Sequence, residues 1–317
     1  MRRIRLDVMR PSAQNPTAMT APPSLAAAII NPAAGSSTRP SDTRPLTERT
    51  RRAFAEANLT GEIVFTERAG HARELAADFV RRGFSPIIAW GGDGTVNEVA
   101  AALAFQDAVL GIVPTGSGNG LARELGISLR PERAIATATR GIDRTIDVGE
   151  VNGRLFVNLA GVGLDASVAS LFNCLAGRGR LRYVQATLST VFSYVAETYT
   201  ITAGGETFEH RALIVEVANG RQYGNGALIA PHAKLDDGLL DLVVVGPLDP
   251  LRALWGVRRL FNGTIDQEPD VSMRTASSIT ISAEQPIRFH VDGEVVEGSE
   301  TLTATVHPGA LRVRVPG

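Results

Sequence analysis

From Leu25 to about Gly141, short wholly apolar runs alternate with stretches whose apolar positions recur every three or four residues. The apolar runs predict strands over Leu25–Ile30, Glu62–Thr66, Pro86–Trp90 and Val109–Val113. The three-to-four spacing predicts helices over Leu46–Ala57, Ala69–Arg82, Thr95–Ala104, Gly118–Leu125 and Pro131–Thr139. Strands apolar on both faces and separated by helices imply a parallel sheet covered on both sides. After Asp143 the period falls to two, and short polar turns punctuate it: Val151-Asn152-Gly153-Arg154, Ala203-Gly204-Gly205-Glu206, Asp236-Asp237-Gly238-Leu239 and Val291-Asp292-Gly293-Glu294. These are hairpin signals, so an antiparallel, β-rich sandwich is expected there. Two helical interruptions fall within it, Leu164–Thr198 and Pro250–Phe261. The fold class is therefore an α/β domain with a parallel sheet over residues 25–142, followed by a β-rich antiparallel sandwich over residues 143–301. Residues 1–24 read as a mobile tail, and strands from about 302 to 317 are expected to return to the first domain.

Composition narrows the chemistry. A chain of 317 residues with 44% hydrophobic positions suffices for two globular domains. Its net charge of −1 argues against nucleic acid as a partner. Lys234 is the only lysine. A Walker A loop and a Schiff-base lysine are both excluded thereby, and arginine is left to handle phosphate. Cys174 stands alone and the five histidines show no metal-binding spacing, which suits a reducing, cytoplasmic setting. No run of about 18 apolar residues is present to span a bilayer, and the first twenty residues lack the apolar core of a secretory signal.

The sharpest local signal is Gly91-Gly92-Asp93-Gly94-Thr95-Val96-Asn97-Glu98, directly after the apolar run ending at Trp90. Glycines without Cβ let backbone approach a ligand, and the first N–H groups of the following helix favour an anion. Thr95 and Glu98 have the spacing of a capping box, which sets the predicted helix start at Thr95. Asp93 beside oligophosphate would be repulsive without an intervening cation, so it suggests a Mg²⁺-nucleotide; a local cap in a Gly-rich turn is the alternative. Two further loops leave the carboxyl ends of predicted strands, Asn31-Pro32-Ala33-Ala34-Gly35 and Pro114-Thr115-Gly116-Ser117-Gly118-Asn119-Gly120. Ligands of open parallel sheets bind at that rim.

With these motifs, and with Gly161-Val162-Gly163-Leu164-Asp165-Ala166, Asp236-Asp237-Gly238-Leu239-Leu240-Asp241 and Asp292-Gly293-Glu294 in the same order, the chain resembles the diacylglycerol kinase catalytic-domain family from Leu25 onward. That family includes soluble bacterial lipid kinases and sphingosine kinases. The resemblance implies ATP and Mg²⁺ as cofactors. It implies nucleotide contacts from Asn31, Thr66, Gly91, Gly92, Asp93, Gly94, Thr95, Asn97, Glu98, Thr115, Gly116 and Ser117. Glu294 matches the proton acceptor, with Asp292 beside it and Asp93 as its rival. Lys234, Asp237 and Leu239 match a structural metal site, the first and last through main-chain oxygens. Asp165 matches a position that could meet a lipid headgroup. The function so implied is transfer of the γ-phosphate of ATP to a lipid hydroxyl, with diacylglycerol or a sphingoid-type acceptor. A soluble-metabolite kinase of the NAD kinase type and a non-catalytic nucleotide- or lipid-binding module are the alternatives. NAD kinases share the Gly-Gly-Asp-Gly signature but not the 114–120 pattern.

A lipid substrate implies a membrane surface as partner. The basic-aromatic stretches 251–261 and 177–183 could lie in a bilayer interface, or could pack their apolar faces into the core with the arginines solvated. Peripheral membrane contact and a homodimer are both compatible with the resemblance.

Overall fold

The computed structural model describes residues 3–6, 24–35, 43–164, 195–248 and 250–317, and they form two compact units. The first comprises residues 1–145 and 311–317, the second residues 146–310. In the first, strands β1 (Arg3–Leu6), β2 (Ser24–Ile30), β3 (Leu59–Phe65), β4 (Ile87–Gly91) and β5 (Val109–Pro114) are interleaved with helices. These are α1 (Arg44–Glu56), α2 (His71–Arg81), α3 (Asp93–Leu103), α4 (Gly120–Glu124) and α5 (Pro131–Arg140). The sheet order is β1-β3-β2-β4-β5, and Arg312 and Val313 pair beyond β5. All pairings are parallel except that of β1 with β3. Ala26 to Ile30 and Ile87 to Ala89 are fully buried, as wholly apolar strands flanked by helices must be. In α2 the buried residues Ala72, Leu75, Ala76 and Phe79 follow the helical repeat and face the core. Burial of Leu75 and Phe79 contributes about 1.5–3 kcal/mol each.

Two expectations need correction here. Residues 3–6 are not a tail: they add an antiparallel strand to the edge of β3. The capping box does not form either. Helix α3 begins two residues earlier, at Asp93, and Glu98 turns to a different helix.

The second unit takes over β6 (Ile142–Val151) from Ile146 onward. It continues with β7 (Arg154–Phe156), β8 (Leu159–Gly163), β9 (Glu197–Ala203), β10 (Glu206–Ala212), β11 (Ile214–Ala218), β12 (Gln222–Gly224), β13 (Ala227–Leu228) and β14 (Leu240–Val245). Helix α6 (Pro250–Asn262) follows, then β15 (Val271–Ala276), β16 (Ser278–Ser282), β17 (Phe289–Val291), β18 (Glu294–Val296) and β19 (Thr301–Val315), whose last residues belong to the first unit. One antiparallel sheet runs β15-β14-β11-β8-β17-β18, and a second layer runs β19-β16-β9-β10. Their inward residues, among them Val162, Val215, Val217, Leu242, Ile201, Ile279, Phe289 and Leu302, form one core, so this unit is a β-sandwich. Hairpin turns occur at 152–153, 204–205 and 292–293. The predicted hairpin at 236–239 is absent: that segment leads into β14, whose partners are β11 and β15. The interruption expected over 164–198 lies mostly outside the described residues, and Thr198 is already in β9.

Candidate active site

The rim of the first unit is set by register. Ile30 pairs with Trp90 and Gly91 with Pro114, so the loops after β2, β4 and β5 leave the sheet side by side. Asn31 ties two of them together. Its Nδ2 donates to Thr95 Oγ1 at 3.2 Å, while its Oδ1 accepts the N–H of Ala33 at 3.0 Å. Gly92 and Gly116 bring backbone against backbone: a Cβ on Gly116 would lie 2.7 Å from the Gly92 Cα. Gly91 is needed for Thr95, whose side chain would stand 2.5 Å from a Cβ there. Gly94 has open space where its side chain would be. Thr66 is buried at the end of β3, Asn97 is half-buried on α3 and Ser117 is exposed.

Asp93 joins the second loop to the third. Its Oδ1 accepts the N–H of Gly120 at 2.7 Å and its Oδ2 that of Asn119 at 2.8 Å, capping α4 from another element. Asn119 then closes its own loop, accepting the N–H of Gly116 at 2.9 Å and donating to the Gly116 carbonyl at 2.7 Å. Asn119 was not among the candidate residues: the sequence reading put it inside a helix over Gly118–Leu125, whereas the helix begins at Gly120 and Asn119 precedes it. Both oxygens of Glu98 accept backbone N–H groups at the start of α2, from Gly70 at 2.8 Å and Ala72 at 2.9 Å. What remains open to a ligand is chemically specific. The N–H groups of Asp93, Gly94 and Thr95 have no acceptor within their helix, and the helix dipole favours an anion there. Thr115 Oγ1 is buried with no hydrogen-bond partner. These donors suit phosphate oxygens.

In the second unit, β17 and β18 are joined by a two-residue turn with Asp292 at φ 46° and Gly293 at φ 83°, the type I′ geometry that Asp-Gly favours. Asp292 is fastened inward. Its carboxylate accepts the N–H groups of Val157 at 2.8 Å and of Asn158 and Leu159 at 3.0 Å each. Glu294 is exposed, and its carboxylate has no hydrogen-bond or ion-pair partner among the described residues. Of the two acidic groups, Glu294 alone is available to act on something else.

The 234–241 segment is sparse in ligands. Lys234 and Asp237 are exposed, and Asp237 accepts the N–H of Leu239 at 3.1 Å. Asp241 is buried, and that burial, reinforced by the charge of Asp237, pushes its carboxyl up to about 6. Among the described residues no group of three or more His, Cys, Asp or Glu side chains could hold a metal ion. Asp165, the candidate headgroup residue, lies outside the described residues.

Similarity to known proteins agrees with this layout. Residues 26–151 match the diacylglycerol kinase catalytic domain, and residues 158–315 match the YegS C-terminal NAD kinase β-sandwich-like domain. A Pseudomonas aeruginosa protein named probable lipid kinase YegS-like is 35% identical over 269 residues, covering 82% of this chain and 86% of its own. Among solved structures, a diacylglycerol kinase of Bacillus anthracis superposes with a TM-score of 0.72 at 24% identity, covering 92% of this chain and 97% of its own. An Archaeoglobus fulgidus NAD kinase solved with ATP gives 0.52 at 13% identity, covering 91% and 93%. Both speak for the fold. The chain is a kinase of the diacylglycerol kinase catalytic-domain family, with the YegS type of C-terminal sandwich.

Proposed function

We propose that the protein transfers the γ-phosphoryl group of ATP to the hydroxyl of a lipid. The observation that carries this reading is the rim itself: an α3 N-terminus, an orphan Thr115 hydroxyl and the close backbone approach of Gly92 and Gly116 in a chain whose family acts on ATP. There, backbone N–H groups of residues 93–95 and the Thr115 hydroxyl hold phosphate oxygens. Asp93 keeps lone pairs beyond the two that accept Asn119 and Gly120, and with phosphate oxygens these suffice for Mg²⁺, which takes few protein ligands. The bound Mg²⁺-nucleotide supplies the charge neutralisation that phosphoryl transfer needs. Glu294 orients the acceptor hydroxyl and takes its proton, the task for which an uncommitted carboxylate is suited. Asp292 holds the turn that carries Glu294.

Access to lipid falls to α6. Trp255, Val257 and Phe261 are exposed on it, and the guanidinium of Arg258 lies 5.5 Å from the Trp255 ring centroid. Arg252 and Arg259 are tied to Asp270 and Glu268, so their stems line the helix while the aromatic groups meet the bilayer interface. Labelled ATP incubated with the protein and a total lipid extract is expected to yield a phosphorylated lipid. Label found only in a water-soluble metabolite would favour the NAD kinase-type reading instead.

A further inference from the structure

Three neighbouring strands place one residue each in a single row. Gly161 of β8 is in register with Glu216 of β11 on one side and with His290 of β17 on the other. Strands spaced about 4.8 Å apart leave the outer two roughly 10 Å from each other at the backbone, too far for most side chains to meet over an intervening residue. Here they do meet. His290 Nε2 is 3.2 Å from Glu216 Oε1, and the two side chains are 3% and 0% exposed. The contact passes over Gly161, where a Cβ would stand 2.2 Å from Glu216 Oε1. The other ring nitrogen faces the acidic turn: Gly293 donates its N–H to His290 Nδ1 at 3.4 Å. A nitrogen that accepts cannot also carry a proton, so the imidazole proton resides on Nε2 and is donated to the Glu216 carboxylate. Gly293 lies between Asp292 and Glu294.

We propose that Glu216 and His290 are positioning residues for phosphoryl transfer: across the gap left by Gly161 they fix the imidazole that grips the 292–294 turn, and so set the direction of the Glu294 carboxylate. The proposal rests on the assignment of Glu294 as the group that meets the acceptor hydroxyl. Asp292 anchors the same turn from β8, so the pair constitutes a second, independent hold on it. Neither side chain of the pair needs to touch substrate.

Gly161→Ala leaves both side chains chemically intact, and the three atoms nearest its new Cβ all belong to the Glu216 carboxylate. It is expected to lower kcat by on the order of tenfold to a hundredfold with KM for ATP unchanged, the cost of a small misplacement at the reacting centre. Glu216→Gln preserves an acceptor for the Nε2 proton and is expected to keep near wild-type kcat, whereas Glu216→Leu falls with Gly161→Ala. Should Gly161→Ala fail to fold, the contrast between Gln and Leu at 216 decides. Hydrogen exchange of the Gly293 amide provides a readout that does not depend on lipid turnover: it is expected to quicken in Glu216→Leu and not in Glu216→Gln. A folded Glu216→Leu protein with unchanged kcat and unchanged Gly293 exchange overturns the proposal. A wild-type protein that phosphorylates no lipid would instead remove the assignment of Glu294, while the exchange contrast still supports or refutes the hold on the turn.

Discussion

Asp292 and Glu294 stand two residues apart, yet one carboxylate accepts three backbone N–H groups and the other accepts none among the described residues. Opposite consequences of mutation follow. Asp292→Ala orphans three donors, each costing about 1–3 kcal/mol where water cannot replace the lost acceptor, so thermal denaturation is expected at markedly lower temperature. Glu294→Gln is expected to leave the melting temperature unchanged and to reduce turnover by about 10²–10⁴-fold, the usual scale for a lost general base. The two readouts together, melting and kcat, separate structural from chemical carboxylate. Sequence alone could read the turn, since Asp-Gly between a run ending at Val291 and one resuming at Val295 is a local signal. That local signal does not tell the two acids apart; only the family resemblance singled out Glu294. The partners of Asp292 are 133 to 135 residues distant, and no local pattern encodes them.

At the level of elements, α3 illustrates where local rules are overridden. Thr95 and Glu98 have capping-box spacing, but Glu98 serves the first N–H groups of α2 and Thr95 receives Asn31. One turn of helix thereby holds the loops after β2 and β3, while Asp93 holds the loop after β5. The glycines of this region were legible as a close-approach device; the pairing of Gly92 with Gly116 was not, because it depends on the adjacency of β4 and β5. Gly116→Ala pushes a Cβ against the Gly92 backbone. It is expected to raise KM for ATP by about tenfold or more, read from initial rates at saturating lipid, with a smaller effect on kcat.

For the whole molecule, the change from wholly apolar runs to period-two alternation was enough to divide an α/β fold from a β-sandwich. The 236–239 turn misled because Asp-Gly signals a turn without saying which strands it joins. Residues 3–6 were missed although Arg3-Ile4-Arg5-Leu6 alternates polar and apolar: four residues with no turn joining them to a neighbouring strand name no partner, and it is the open edge of β3 that recruits them. Buried Asp241 makes stability depend on pH. Its carboxyl, about 6 in the folded state against about 3.9 in an unfolded chain, binds its proton more tightly when folded. Its contribution is therefore complete below about pH 4 and lost as pH rises through 6, amounting to on the order of 2–3 kcal/mol. Asp241→Asn is expected to gain several degrees on the wild type at pH 8 and little at pH 4, by melting at both. Lastly, Arg312 and Val313 lie against Val109 and Leu110 of β5, and Arg312 and Arg314 both grip Asp143. The α/β half is thus finished only once the ribosome has added residues 311–317, after the whole of the β-sandwich segment. A fragment stopping at residue 145 would present β5 as a bare, hydrophobic border prone to self-association, so this half cannot mature ahead of the rest during synthesis.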